Sequence, residues 1–182
     1  MPLSPRTFLR RHLPLTVATA VLLTGCSSAS TDEDDVAAAS ALVEQGISQI
    51  AEDDTEAATT SFERALRLHP EEYLAHYNLG YLAQQADDTA EALAHYDDAL
   101  EISPEHGPTL YNSAILLEAS DLEAAVDRYR EAVRVQPDFA PAHMRLGFAL
   151  HHLDRTAEAE AMLTRGIKLD PDMATVEAPR FD

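Results

Sequence analysis

Scarcity of certain residue types narrows this chain before any motif is sought. Its 182 residues include one cysteine, no tryptophan, six glycines and only 13 lysines and arginines against 32 aspartates and glutamates. A single cysteine excludes an internal disulfide framework and any zinc site built from two or more thiolates. Neither a glycine-rich phosphate loop nor a Gly-x-Ser-x-Gly elbow occurs. The acids are spread along the chain, so no paired general acid and base stands out and no catalytic residue is assigned. The formal charge of −19 argues against nucleic acid as a partner. Neutralising phosphates takes clustered lysine and arginine, and this chain is repelled by them instead. What is present, 46% apolar and 25% charged residues, is the composition of a globular domain that rests on packing alone.

Residues 1–25 differ from the rest. Arg6, Arg10 and Arg11 stand there without an acid, an apolar run follows from Leu13 to Leu23, and Thr24-Gly25-Cys26 closes the segment. This is the layout of a signal peptide that is cleaved, and the run of eleven residues is short of the roughly 20 that span a bilayer as a helix. Leu23-Thr24-Gly25-Cys26 resembles a bacterial lipobox. The resemblance implies that Cys26 carries a diacylglycerol and becomes the first residue of the mature protein, anchored to a lipid bilayer. The alternative is a plain secretory signal with an incidental cysteine. Ser27 and Ser28 follow in place of Asp, which resembles the default for export to the outer membrane, facing the periplasm. Residues 26–35 are then expected to be the lipidated cysteine and a flexible acidic tether, able to reach about 30 Å when extended.

Beyond that point a unit of 34 residues repeats. Pro70, Pro104, Pro137 and Pro171 are spaced by 34, 33 and 34. Ala65, Ala99, Ala132 and Gly166 precede them by five residues, and Phe62, Tyr96, Tyr129 and Leu163 by eight. Ala58, Ala92, Ala125 and Ala159 lie a helical turn earlier, and Gly46, Gly80, Ala114 and Gly147 earlier again. Small residues at fixed places permit close approach of helices, and proline, which lacks an N–H, stops the second helix of each unit. Asp53-Asp54-Thr55, Asp87-Asp88-Thr89, Asp121 and Asp154-Arg155-Thr156 supply turns and helix caps between the two. Helices are predicted at 36–52, 55–68, 71–86, 88–102, 106–119, 121–135, 139–153 and 155–169. The third unit is one residue short between Leu117 and Ala125, which places the shortfall in its turn.

These columns resemble the tetratricopeptide repeat, most fully in Tyr77-Asn78-Leu79-Gly80, Ala92, Tyr96, Ala99 and Pro104. The resemblance implies an all-α fold, an α-solenoid of about four helix-turn-helix units, at 39–72, 73–106, 107–139 and 140–173 within 36–173, with a tail at 174–182. It departs from the family in His76 and His143, where a bulky apolar residue is usual and packing is expected to be looser. Stacked units of this kind bury a continuous core only with about three or more in a row.

Each first helix carries a second stripe, one residue offset from the one that meets its partner: Val43, Ile47 and Ile50; Tyr77, Tyr81 and Gln84; Tyr111, Ile115 and Glu118; Met144, Phe148 and His151. In tetratricopeptide proteins the corresponding face lines a concave groove that holds a peptide. The resemblance therefore implies a partner-binding groove of Val43, Ile47, Tyr77, Tyr81, Tyr111, Ile115, Met144 and Phe148, with Asn78, Asn112 and Arg145 as donors. The same residues could instead fill space between neighbouring first helices, and Asn78 and Asn112 could serve local structure.

The eight histidines show no zinc-protease pairing, His151 and His152 point about 100° apart, and His69 and His106 flank unit junctions. No metal or cofactor is therefore expected. The acidity is either solvation or a surface for basic partners. The function implied is a non-enzymatic, membrane-anchored scaffold in envelope complex assembly that holds a peptide or protein. Alternatives are a pilotin-like secretion or pilus assembly factor, an adaptor for cell-wall enzymes, and a structural homo-oligomer.

Overall fold

The computed structural model describes residues 29–181, so the signal segment and Cys26 lie outside the described residues. Eight helices follow one another: α1 Ala29–Ala51, α2 Thr55–Leu68, α3 Tyr73–Gln85, α4 Thr89–Ile102, α5 Gly107–Leu117, α6 Leu122–Val135, α7 Ala140–His152 and α8 Thr156–Leu169, then a 3-10 turn at Pro171–Thr175. There is no strand among the described residues. Each odd-numbered helix packs most extensively on the even-numbered helix that follows, and each even-numbered helix then meets the next odd one. The result is the all-helical stack of hairpins that the periodicity predicts. None of these helices is long and apolar enough to cross a membrane.

The four repeated prolines act through the residue before them. His69, Ser103, Gln136 and Asp170 are all extended, with φ between −139° and −127°, as expected where the proline ring crowds the preceding residue out of the helical region. Each still donates its N–H to the helix it ends, to the carbonyls of Ala65, Ala99, Ala132 and Gly166 respectively. The other end of each second helix is capped by an aspartate in three cases. Asp54 accepts from the Ala57 N–H, Asp88 from Glu91 and Asp121 from Ala124, at 3.0–3.1 Å, a contact worth about 1 kcal/mol. In the fourth unit Arg155 holds that place without a side-chain cap.

Three of the four turns within hairpins share one geometry. Asp53, Asp87 and Asp154 have φ of 64°, 59° and 58°, a left-handed conformation that aspartate tolerates better than most residues. The N–H of the next residue returns to Gln49, Ala83 and Leu150 at 2.9 Å, the six-to-one bond of a Schellman cap. The third turn differs from expectation. It is not shortened: α5 ends early, at Leu117, and Glu118–Asp121 make a four-residue connection without a left-handed residue. The missing residue has come out of the helix.

The first helix also differs from expectation. It begins at Ala29, so residues 29–35, predicted to be tether, are its opening turns. Asp32, Glu33, Asp34 and Asp35 stand near its N-terminus, where the helix dipole favours carboxylates, and Ala37, Ala38 and Ala39 are strong helix formers. Packing begins only at Ala39.

Within each hairpin the aligned columns meet as knob and hole. Phe62, Tyr96 and Tyr129 are fully buried, and a side chain added at Gly80 would place its Cβ 2.7 Å from the Tyr96 ring. At the C-terminus α8 buries only Ala159 and Gly166 and leaves Ile167 exposed. The predicted tail folds back: Phe181 lies 5.2 Å from the His152 ring and packs on the cluster containing Leu146 and Leu150.

Candidate functional site

The odd-numbered helices carry the stripe assigned to partner binding, and the fold divides it. Val43, Asn78 and Met144 are only 3%, 8% and 4% exposed, which removes them from a ligand-contacting surface. Val43 belongs to the core around Phe62. Met144 fills the space left by Gly166, where an added Cβ would meet its sulfur at 2.7 Å. Asn78 donates its amide to the Leu74 carbonyl one turn back at 2.7 Å, the local structural role that the sequence left open. Ile47, by contrast, is 48% exposed. Tyr77, Tyr81, Tyr111, Asn112, Ile115, Arg145 and Phe148 are half-buried, with part of each side chain reaching solvent.

Tyr77 and Tyr111 sit at the hairpin junctions in matching surroundings. Tyr77 lies 6.1 Å from Tyr96 of its own hairpin and meets His106 of the next edge-on at 5.0 Å. Tyr111 lies 5.9 Å from Tyr129 and meets Phe139 edge-on at 4.9 Å. These offset and edge contacts suit the ring quadrupoles. Burial raises both phenols above their ordinary pKa and lowers the His106 imidazole below its own. Tyr77 and Tyr111 therefore pack on rings of their own hairpins as well as on the next unit, and leave only part of each side chain to solvent.

A polar network runs beneath them. The Tyr96 hydroxyl donates to Gln84 Oε1 at 2.7 Å, and the Tyr129 hydroxyl donates to Glu118 Oε1 at 2.6 Å. Gln84 and Glu118 occupy the same place in their units, four residues after Gly80 and Ala114. In the first unit that place is Ile50, opposite Phe62, which has no hydroxyl. An acceptor thus appears in the two units whose facing ring carries a donor, which is the pairing that buried polar groups require; in the fourth unit Leu163 replaces the ring and the place is the exposed His151. Burial, followed by the bond to Glu118, raises the Tyr129 phenol far above its ordinary pKa. Arg145 Nη1 donates to Glu118 Oε2 at 2.7 Å, joining α7 to α5. Burial works against the guanidinium charge, but the Glu118 carboxylate and neighbouring tyrosines hold its pKa above the ordinary value. Asn112 reaches back from α5 to the Tyr77 hydroxyl at 3.5 Å. Arg145 is therefore partly occupied, and Glu118, placed on the same stripe by its spacing, is an internal acceptor.

Sequence reasoning missed a second constellation, between α3 and α4. His76 and His95 bring their Nδ1 atoms to 3.3 Å, and Asp98 lies beside them. The three-residue step from His95 to Asp98 along one helix was a visible signal. The addition of His76 from another helix was not.

Family models for the tetratricopeptide repeat match residues 35–106 and 116–178; neither describes a catalytic family. The comparison with curated proteins returned no match. Among solved structures, MamA from Desulfovibrio magneticus RS-1 is similar at 22% identity over 74% of this chain and 76% of that one, with a TM-score of 0.63. YrrB, described as a TPR protein with an unusual peptide-binding site, is 23% identical over 77% of this chain and 73% of its own, with a TM-score of 0.62. PilF of Pseudomonas aeruginosa is 24% identical over 80% of this chain and 66% of its own, at a TM-score of 0.66. At these identities the likeness is one of fold. With repeat matches over the first two hairpins and from the end of α5 through α8, together well over half of the sequence, the chain belongs to the tetratricopeptide repeat family.

Proposed function

We propose that this protein is a non-enzymatic scaffold, lipid-anchored through Cys26, that holds a peptide or protein segment along the outer edges of its odd-numbered helices in assembly of an envelope complex. The observation that carries the binding role is the row of half-exposed Tyr77, Tyr81, Tyr111, Ile115 and Phe148, which runs from α3 through α5 to α7 with Arg145 beside it. Aromatic edges with polar tips on a rigid support make contact area at small entropic cost. Ile47 extends the row onto α1. The peptide-binding site of YrrB, a protein of the same fold, supports the same class of ligand. Anchoring would confine the scaffold to one membrane face and raise the effective concentration of what it holds.

The test avoids Tyr77 and Tyr111, whose rings also support the core. Tyr81→Ala with Phe148→Ala alters side chains outside the packed clusters. Affinity capture from an envelope extract is expected to return a partner with the wild type and to lose it with the double variant, while helicity by circular dichroism is unchanged. Retention of the same partner by the variant refutes the assignment, and recovery of only the protein's own copies moves the homo-oligomer ahead. For the anchor, Cys26→Ser is expected to release the protein into the soluble fraction; unchanged membrane retention contradicts lipidation.

A further inference from the structure

We propose that His76, His95 and Asp98 form a binding site for one divalent zinc-class ion that ties α3 to α4. His76 Nδ1 lies 3.3 Å from His95 Nδ1 and 3.5 Å from Asp98 Oδ2, and the three ligand atoms all fall within 4.8 Å of one another. A tetrahedral ion with bonds of about 2.0–2.1 Å holds its ligand atoms about 3.3–3.4 Å apart. The two shorter edges of this triangle are already close to that length. Two neutral imidazoles and a carboxylate are a donor set suited to zinc and to its first-row neighbours.

The hydrogen-bonding alternative accounts for less. One shared proton can join the two imidazoles, but the Asp98 oxygen then stands at 3.5 Å, beyond a good hydrogen bond. The surroundings favour a cation as well. Asp98 is on the surface, and a cleft of about 620 Å³ bordered by His76, Asp98, Glu71 and Glu101 leads to the site, leaving room for water as a fourth ligand. Glu63 and Glu91 add negative potential near His95. His76 occupies a place where the repeat usually has a bulky apolar residue, and an ion would supply the cross-link that such a residue makes by packing.

The full chain without a histidine tag, stripped with chelator and dialysed, should be titrated with zinc chloride by calorimetry. One ion per chain is expected, together with a rise in Tm, and cobalt(II) should give the visible bands of a tetrahedral complex. His95→Ala is expected to abolish binding, and Asp98→Asn, on the surface and independent of folding, to weaken it by about tenfold or more. His151→Ala with His152→Ala should bind as the wild type does. Absence of stoichiometric binding in the wild type, or unchanged affinity in Asp98→Asn, overturns the proposal.

Discussion

Tyr129→Phe is the most informative single substitution in this fold. The ring stays in its fully buried slot, so packing is kept, and only the hydroxyl that donates to Glu118 at 2.6 Å is lost. Glu118 is 9% exposed and its other oxygen is held by Arg145, so the freed oxygen has little access to water. Losing a hydrogen bond to a charged group costs about 1.5–3 kcal/mol. For a chain of this size that corresponds to a fall in Tm of about 3–12 °C. Tyr96→Phe is the internal control. It removes a neutral bond to Gln84, which is only half-buried and can turn to solvent, so the cost should be about 0.5–1.5 kcal/mol. Urea unfolding followed by circular dichroism should show the midpoint moving with little change in slope. Combining Tyr129→Phe with Glu118→Ile copies the Phe62 and Ile50 arrangement of the first unit. The pair should lose less stability than the two single variants added together, by about 0.5 kcal/mol or more. Strict additivity, or a Tyr129→Phe no more harmful than Tyr96→Phe, would refute the idea that acceptor and hydroxyl are matched unit by unit.

Three further outcomes follow from the packing and charge. Gly80→Ala should cost about 1–3 kcal/mol by overpacking despite its helix propensity, because the new methyl would stand 2.7 Å from the Tyr96 ring and 3.1 Å from the Ala92 carbonyl; a Tm equal to or above wild type would count against that contact. Stability should decline as pH rises above 10, since burial raises Tyr96 and Tyr129 and the unfolded chain then ionises first. It should also decline as pH falls below 6.5, where unfolding releases the depressed His106 to take a proton. A thermal-melt series from pH 5 to 11 that is flat at both ends would exclude these couplings. Finally, 13 bases against 32 acids leave a net repulsion that salt screens, so Tm should rise from low to moderate sodium chloride. A fall would mean that ion pairs such as Arg128 with Asp97 and Arg130 with Glu158 outweigh that repulsion.

The repeat, the hairpins it builds and nearly every helix boundary can be read from short stretches of the amino-acid sequence. Those features rest on interactions between residues close in the chain: proline acting on the residue before it, aspartate capping the N–H three positions on, and apolar residues recurring at the helical period. A spacing of 34 carries them because each unit solves the same local problem. The start of α1 was missed because a run of acids reads as a tether, and only the alanines beyond it and the helix dipole make it helical. The third turn was placed by residue count, but counting could not tell that the deletion shortens α5.

Which face of each helix meets what is set by how the helices pack on one another. Val43, Asn78 and Met144 share helical spacing with exposed residues, yet they are buried because a facing glycine, a neighbouring core or a carbonyl one turn back claims them. Tyr96 finds Gln84 and Tyr129 finds Glu118 through contacts between helices. His76 joins His95 and Asp98 in the same way, from 19 residues away. Local sterics and hydrogen bonds are written into short stretches of sequence. Convergence of side chains depends on the angle and separation at which helices pack, which the sum of all their contacts sets and no short pattern contains.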